Sequence, residues 1–193
     1  IINIPRADFI KNVDEVKVID EQMEITQGKL VMGYRANVDY ADIDKYYALV
    51  VGSNVLGGGP HSKLFVNVRE KESLCYYIFS SIEKYKSIMF ISSGIETKDY
   101  DKAVELIKKQ VESVKAGDIS DEELENSKLA LVNSMKSITD NIGGMSDFVF
   151  SQSMAKTNSE VQDIISSIEK VTKKDIVEAI KNIELDTVYF LRN

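Results

Sequence analysis

Hydrophobic residues recur along this chain with two periods. From Lys29 to Val38 they alternate, with Leu30, Met32, Tyr34, Ala36 and Val38 on one side and Val31, Gly33 and Arg35 on the other. A period of two predicts a strand with one buried face. From Asp42 to Leu56 acids come first, and Ile43, Tyr47, Leu49, Val50, Val51, Val55 and Leu56 follow. This pattern predicts a helix, stopped by Gly57, Gly58 and Gly59. Pro60 precedes a second, short helix that opens at His61. Its apolar face is Leu64, Phe65 and Val68, and Arg69 and Lys71 fall in its last turn. Leu74 to Ile82 and Ser87 to Ile95 are aromatic or β-prone, and the polar Lys84 to Lys86 between them predicts a hairpin.

The remainder reads mainly as helix. Ala103, Val104, Ile107, Val111 and Val114 form one stripe over Tyr100 to Lys115, ended by Gly117. Ser120 and Glu123 form a capping box that opens a helix with Leu124, Leu131, Met135 and Ile138 facing inward. Gly143 and Gly144 interrupt, and helix resumes from Met145 to Lys156. Ser159 with Gln162, and Thr172 with Asp175, open helices near Ile164 to Glu169 and Ile176 to Ile183. Thr187 to Leu191 alternates as a last strand. The order is β-α-α-β-β-α-α-α-α-α-β. This predicts an α+β fold, with helices packed on one face of a largely antiparallel sheet.

At 193 residues the chain is long enough to bury a core without disulfides or a structural metal. Residues 16–193 read as a single α+β domain. Residues 1–15, with Pro5 and mixed polarity, read as a linker or docking segment. The chain begins without methionine, which is consistent with a piece of a longer protein, so a site here could be completed by a part outside it. A net charge of -7 argues against a nucleic-acid surface, which needs a concentrated basic patch. No apolar run is long enough for a transmembrane helix. A single cysteine excludes an internal disulfide and fits a reducing, cytoplasmic setting.

Several chemistries can be tested against the residues present. A zinc site takes three or four Cys, His or carboxylate ligands, and one histidine with one cysteine cannot build H-x-x-E-H or its inverse. No D-x-D-x-D-G calcium loop is present. The chain is therefore expected to carry no metal site and no cofactor of its own. Cys75 lies in a predicted strand among apolar residues, where a thiol is an inert small hydrophobe; the sharper reading makes it a nucleophile with His61 as base. His61, at a helix start, reads as a surface or capping group, or as a functional base. Gly57 to Ser62 either cradles an anion or turns the chain between two helices, since glycine tolerates positive φ.

Arg69 and Tyr76, seven residues apart, have two readings as well. Arg69 is a helix-end cation, paired with Glu70 or Glu72. Of Tyr76 and Tyr77, on opposite faces of a strand, one is expected in the core. Alternatively, the guanidinium and a phenol at adjoining element ends both donate hydrogen bonds to one carbonyl or carboxylate. Such a pair would bind a peptide backbone or stabilise an oxyanion.

The segment SKLFVNVREKESLCYY resembles the signature of the second half of pitrilysin/insulysin-type zinc peptidases, the family that includes mitochondrial processing peptidase. SSGIETKDYDKAVELI after it, and VTKKDIVEAI followed by LDTVYFL, extend the resemblance over roughly Lys29 to Arg192. It implies two similar α+β domains per half-molecule, closing like a clam over an unfolded peptide. Zinc would be held in a partner domain or subunit, through H-x-x-E-H and a distant Glu that this chain lacks. By the same resemblance Arg69 and Tyr76 contact the peptide substrate near the scissile bond. The wording GGGPHSKLF…VREKESL most resembles bacterial partner subunits without a working zinc site. The implied function is that of a non-catalytic substrate-binding domain of a zinc metallopeptidase; a non-hydrolytic scaffold or peptide-binding module of the same fold is the alternative.

Overall fold

The structure is a computed structural model that describes residues 10–193. Residues 1–9 of the expected linker lie outside the described residues. At its end, the Lys11 backbone and the Asn37 side-chain amide exchange two hydrogen bonds, at 3.0 and 3.1 Å.

Five strands form one sheet: β1 (Lys17–Gln22), β2 (Gly28–Arg35), β3 (Cys75–Glu83), β4 (Ile88–Ile95) and β5 (Glu184–Arg192), in the order β1-β5-β2-β4-β3. The pairs β2/β4, β2/β5 and β3/β4 are antiparallel, as expected. β1 pairs with β5 in parallel and was not expected as a strand. Every residue of β1 is exposed, so it lacks the buried alternation that marks β2.

Helices α1 (Ile43–Gly57), α2 (Tyr100–Lys115), α3 (Asp121–Thr139), α4 (Ile142–Ala155), α5 (Val161–Lys170) and α6 (Lys173–Ile180) complete the domain. Leu30, Met32, Met89, Ile91 and Ile95 of the sheet share one buried cluster with Leu49 and Leu56 of α1, Ile107 of α2, Ile168 of α5, and Ile176 and Ile180 of α6. Three local expectations shift. The α3/α4 break falls at Asp140 and Asn141, where the Asn141 side chain caps the Gly144 N–H; the two glycines lie inside the first turn of α4. The start of α5 is capped one residue later than Ser159, with the Asp163 carboxylate accepting from the Glu160 N–H at 2.9 Å. In α3 only Leu124, Ser127 and Val132 are buried, and Leu131 and Met135 pack at the margin.

Between α1 and β3 the chain makes a short helix, Phe65–Glu70, wound wider than an α-helix: the Lys71 N–H donates to the Val66 carbonyl five residues back. Leu64 and Val68 are fully buried beneath it. Its polar ties run to three neighbours. Lys63, itself buried, pairs with Glu123 of α3 at 3.0 Å. Asn67 donates to Gln110 of α2 at 2.9 Å. His61 Nε2 lies 3.1 Å from both Asn54 Oδ1 of α1 and Ser127 Oγ of α3. His61 is thus a half-buried bridge between two helices rather than a surface cap. It precedes the first helical turn and leans back onto α1.

The glycine turn is where it was expected, for a different reason. None of Gly57, Gly58 and Gly59 has positive φ; among the described glycines only Gly117 does. Gly57 is needed for close approach, since a Cβ there would sit 2.5 Å from the Ser80 backbone nitrogen of β3. A larger residue would push α1 off the sheet.

Two expectations follow for folding. Leu64→Ala removes a fully buried side chain from under the short helix and should cost about 2–5 kcal/mol in denaturant unfolding, whereas Phe150→Ser on the exposed face of α4 should change stability by less than about 0.5 kcal/mol. Burial lowers the His61 pKa below 6.5, against a smaller raising effect of Glu123. The folded state therefore binds its proton less readily than the unfolded chain. Stability from this source is complete above pH ~6.5 and is lost as the pH falls below it. The stability advantage of wild type over His61→Gln should shrink on going from pH ~7.5 to ~5.5; an advantage that grows on acidification contradicts the assignment.

Candidate functional site

Arg69 and Tyr76 lie on or beside adjoining elements, the short helix and β3. Arg69 lies in the last turn of the short helix. The chain then turns back, with the Leu74 N–H donating to the Val68 carbonyl at 3.3 Å, and β3 starts at Cys75. The Arg69 side chain is 40% exposed. Its guanidinium lies 4.7 Å from the centre of the Phe65 ring and 4.0 Å from the Glu70 carboxylate. Glu72, the other expected partner, is committed to Lys102 at 2.7 Å. The loose contact with Glu70 leaves most of the guanidinium's donors to solvent or a ligand.

Tyr76 is exposed because the strand register breaks beneath it. From Glu83 back to Tyr77 each β3 residue has one partner on β4, ending at Tyr77↔Gly94. The next pair is Cys75↔Ile95, so Tyr76 is an extra residue in a β-bulge. Without it, Tyr76 would share the core face with Ile78. With it, Cys75 takes the core position and Tyr76 is 61% exposed. The expectation that Tyr76 or Tyr77 is a core residue is therefore corrected. Tyr77 is half-buried on the sheet face away from the helical core, over Gly94, where a Cβ would lie 2.6 Å from its ring, and it stacks on Phe79.

The Tyr76 hydroxyl has its own partner, donating to Glu96 Oε1 at 2.7 Å. That hydrogen bond and the Glu96 charge raise the Tyr76 pKa, so the phenol stays protonated at neutral pH. Glu96 ends the hairpin and lines a cavity of about 270 Å³ with Gln27, Gly28, Ile95 and Thr97. It was not foreseen from the sequence. A plain hairpin register sets Tyr76 opposite Ile95, and only the bulge brings its phenol to Glu96.

The other candidates disperse. Burial pushes the Cys75 thiol up, outweighing the lowering influence of Ser93 and Arg69, so it is a core thiol rather than a nucleophile. His61 is occupied by Asn54 and Ser127. In the glycine turn the Gly58 N–H is taken by the Asn54 carbonyl and the Ser62 N–H by the Gly59 carbonyl, which withdraws two donors an anion would need. Among the described residues no group of three His, Cys, Asp or Glu side chains is placed to hold a metal ion, so the residues present do not fit a zinc site. No helix among the described residues is long and apolar enough to cross a membrane.

Known proteins resemble this chain in sequence and fold. The profile of the peptidase M16 inactive domain matches residues 4–131. The probable inactive metalloprotease YmfF of Bacillus subtilis (strain 168) is 42% identical over 94% of this chain. The chain spans 42% of that relative's length. Among solved structures, a conserved protein from Enterococcus faecalis V583 superposes with a TM-score of 0.87 at 33% identity, over 95% of this chain and 43% of its own. A peptidase M16 inactive domain from Pseudomonas fluorescens shares the fold, with a TM-score of 0.76 at 18% identity, over 92% of this chain and 44% of its own. With the family profile matching well over half of its residues, this chain belongs to the peptidase M16 family, as one of its inactive domains.

Proposed function

We propose that this chain is the substrate-binding, non-catalytic domain of an M16-type zinc metallopeptidase assembly. It holds an unfolded peptide, and a zinc-bearing homologous domain or subunit supplies the metal chemistry. The observation that carries this reading is the outward placement of Arg69 and Tyr76 on adjoining elements, by a pinned helix on one side and a β-bulge on the other. An exposed guanidinium with loosely held donors and a phenol on a rigid edge suit the polar groups of a peptide backbone. Segment 1–15 would link or dock this domain to the rest of the assembly. A single buried thiol is at home in the reducing cytoplasm.

The scaffold alternative uses the same fold without peptide contact. The distinction lies in two measurements on the 193-residue chain. By itself it should not hydrolyse peptides. It should bind a short, unstructured, fluorescein-labelled peptide of Ala, Gly, Ser and Leu by fluorescence anisotropy. Arg69→Ala should weaken this affinity about tenfold or more, and Tyr76→Phe about three- to tenfold. Unchanged binding in both variants would favour the scaffold. Hydrolysis by the purified chain that resists chelator and disappears in Cys75→Ala or His61→Ala would refute the non-catalytic assignment.

A further inference from the structure

We infer that Glu96 is a positioning residue that makes Tyr76 an acceptor, so that the site reads both the C=O and the N–H of an extended peptide. This rests on the peptide-binding reading above and deepens it. A phenol has one hydrogen to give and lone pairs with which to accept. The single Tyr76 hydrogen is committed to the Glu96 carboxylate at 2.7 Å, and a carboxylate can only accept. What the Tyr76 oxygen presents outward is therefore an acceptor. The Arg69 guanidinium is a donor with no acceptor. Without Glu96 the phenol hydrogen would be uncommitted, and both side chains could donate to one carbonyl. With it they are one donor and one acceptor.

That combination matches an extended backbone. Within a strand the N–H and C=O of one residue point to the same side, as the paired bonds of an antiparallel ladder require. Arg69 would take the carbonyl and Tyr76 the amide of such a residue, with no demand on its side chain. Glu96 can hold this role because its own position is fixed. It follows Ile95, which is fully buried and pairs with Cys75 across the bulge, and it leads directly into a helical turn at Thr97–Asp99. The bulge that exposes Tyr76 also brings its hydroxyl to Glu96. The cavity beside Glu96, bounded by Gln27, Gly28 and Thr97, leaves room for a passing side chain.

The test compares the unstructured peptide above with a version N-methylated at alternate backbone amides, which deletes N–H donors and keeps the carbonyls. Wild type should bind the N-methylated peptide about three- to tenfold more weakly, the loss of roughly one hydrogen bond. Tyr76→Phe should bind both peptides alike. Glu96→Ala should bind the parent peptide more weakly and also lose the N-methylation penalty. Glu96→Gln, whose amide oxygen still accepts from the phenol, should restore both. A merely structural role for Glu96 would leave the N-methylation penalty intact. Glu96→Ala binding the parent peptide as tightly as wild type, or retaining the full penalty, overturns this inference while Arg69→Ala and Tyr76→Phe still report on the peptide-binding reading. No loss of affinity in either of those two variants overturns both. Unchanged thermal unfolding of Glu96→Ala confirms that the comparison is made on folded protein.

Discussion

A sheet with one buried face accepts every second side chain of a strand, and β3 breaks this rule by one residue. Ile78 and Cys75 are both buried, yet three positions separate them. The bulge at Tyr76 absorbs the odd residue, because the register passes from Tyr77↔Gly94 directly to Cys75↔Ile95. The Tyr76 half of the candidate site depends on this. A regular ladder would bury the Tyr76 ring against the helices and turn Cys75 outward. The bulge instead gives the core a small thiol and gives solvent a phenol whose hydroxyl meets Glu96. Bulges commonly re-aim side chains beside functional sites, and here the re-aimed residue can be named.

The second fixed point is the short helix that carries Arg69. Six residues wound with i to i+5 bonds have little stability of their own, since helix nucleation is costly and short helices rely on tertiary packing. Leu64 and Val68 supply that packing from below. Ties from Lys63, Asn67 and His61 reach α3, α2 and α1. Lys63 is the most consequential of these, because a buried ammonium is costly unless paired, and it has Glu123 at 3.0 Å and Asp118 at 3.8 Å. The helix is thus held from three sides while Arg69 in its last turn is partly exposed, a rigidity on which the proposed peptide contact relies.

Most of the architecture was legible in the sequence because most elements bury one face. The alternation from Leu30 to Tyr34 and the stripe from Ala103 to Val114 are direct signatures of burial, and both lie in the core, with Val104 at its margin. β1 escaped because its six residues are all exposed; its ladder to β5 is a backbone matter that side-chain pattern does not report. The candidate site was legible only as residue types and spacing. Residue types and spacing singled out Arg69 and Tyr76, and the family resemblance gave them a role. The Tyr76 orientation and the Glu96 contact were not readable, because a single inserted residue leaves no trace in a run as uniformly β-prone as Leu74 to Ile82. His61 was misread for a related reason. Its partners Asn54 and Ser127 sit on two different helices, one of them 66 positions away.

The central claim is that Arg69 and Tyr76 act together on one stretch of peptide backbone. A double-mutant cycle on peptide affinity tests it most directly, using Arg69→Ala, Tyr76→Phe and the double variant of the full chain. If both side chains grip the same residue of the peptide, the first loss loosens the geometry on which the second depends. The double variant should then lose clearly less affinity than the product of the two single losses. Losses that multiply independently would contradict a shared site.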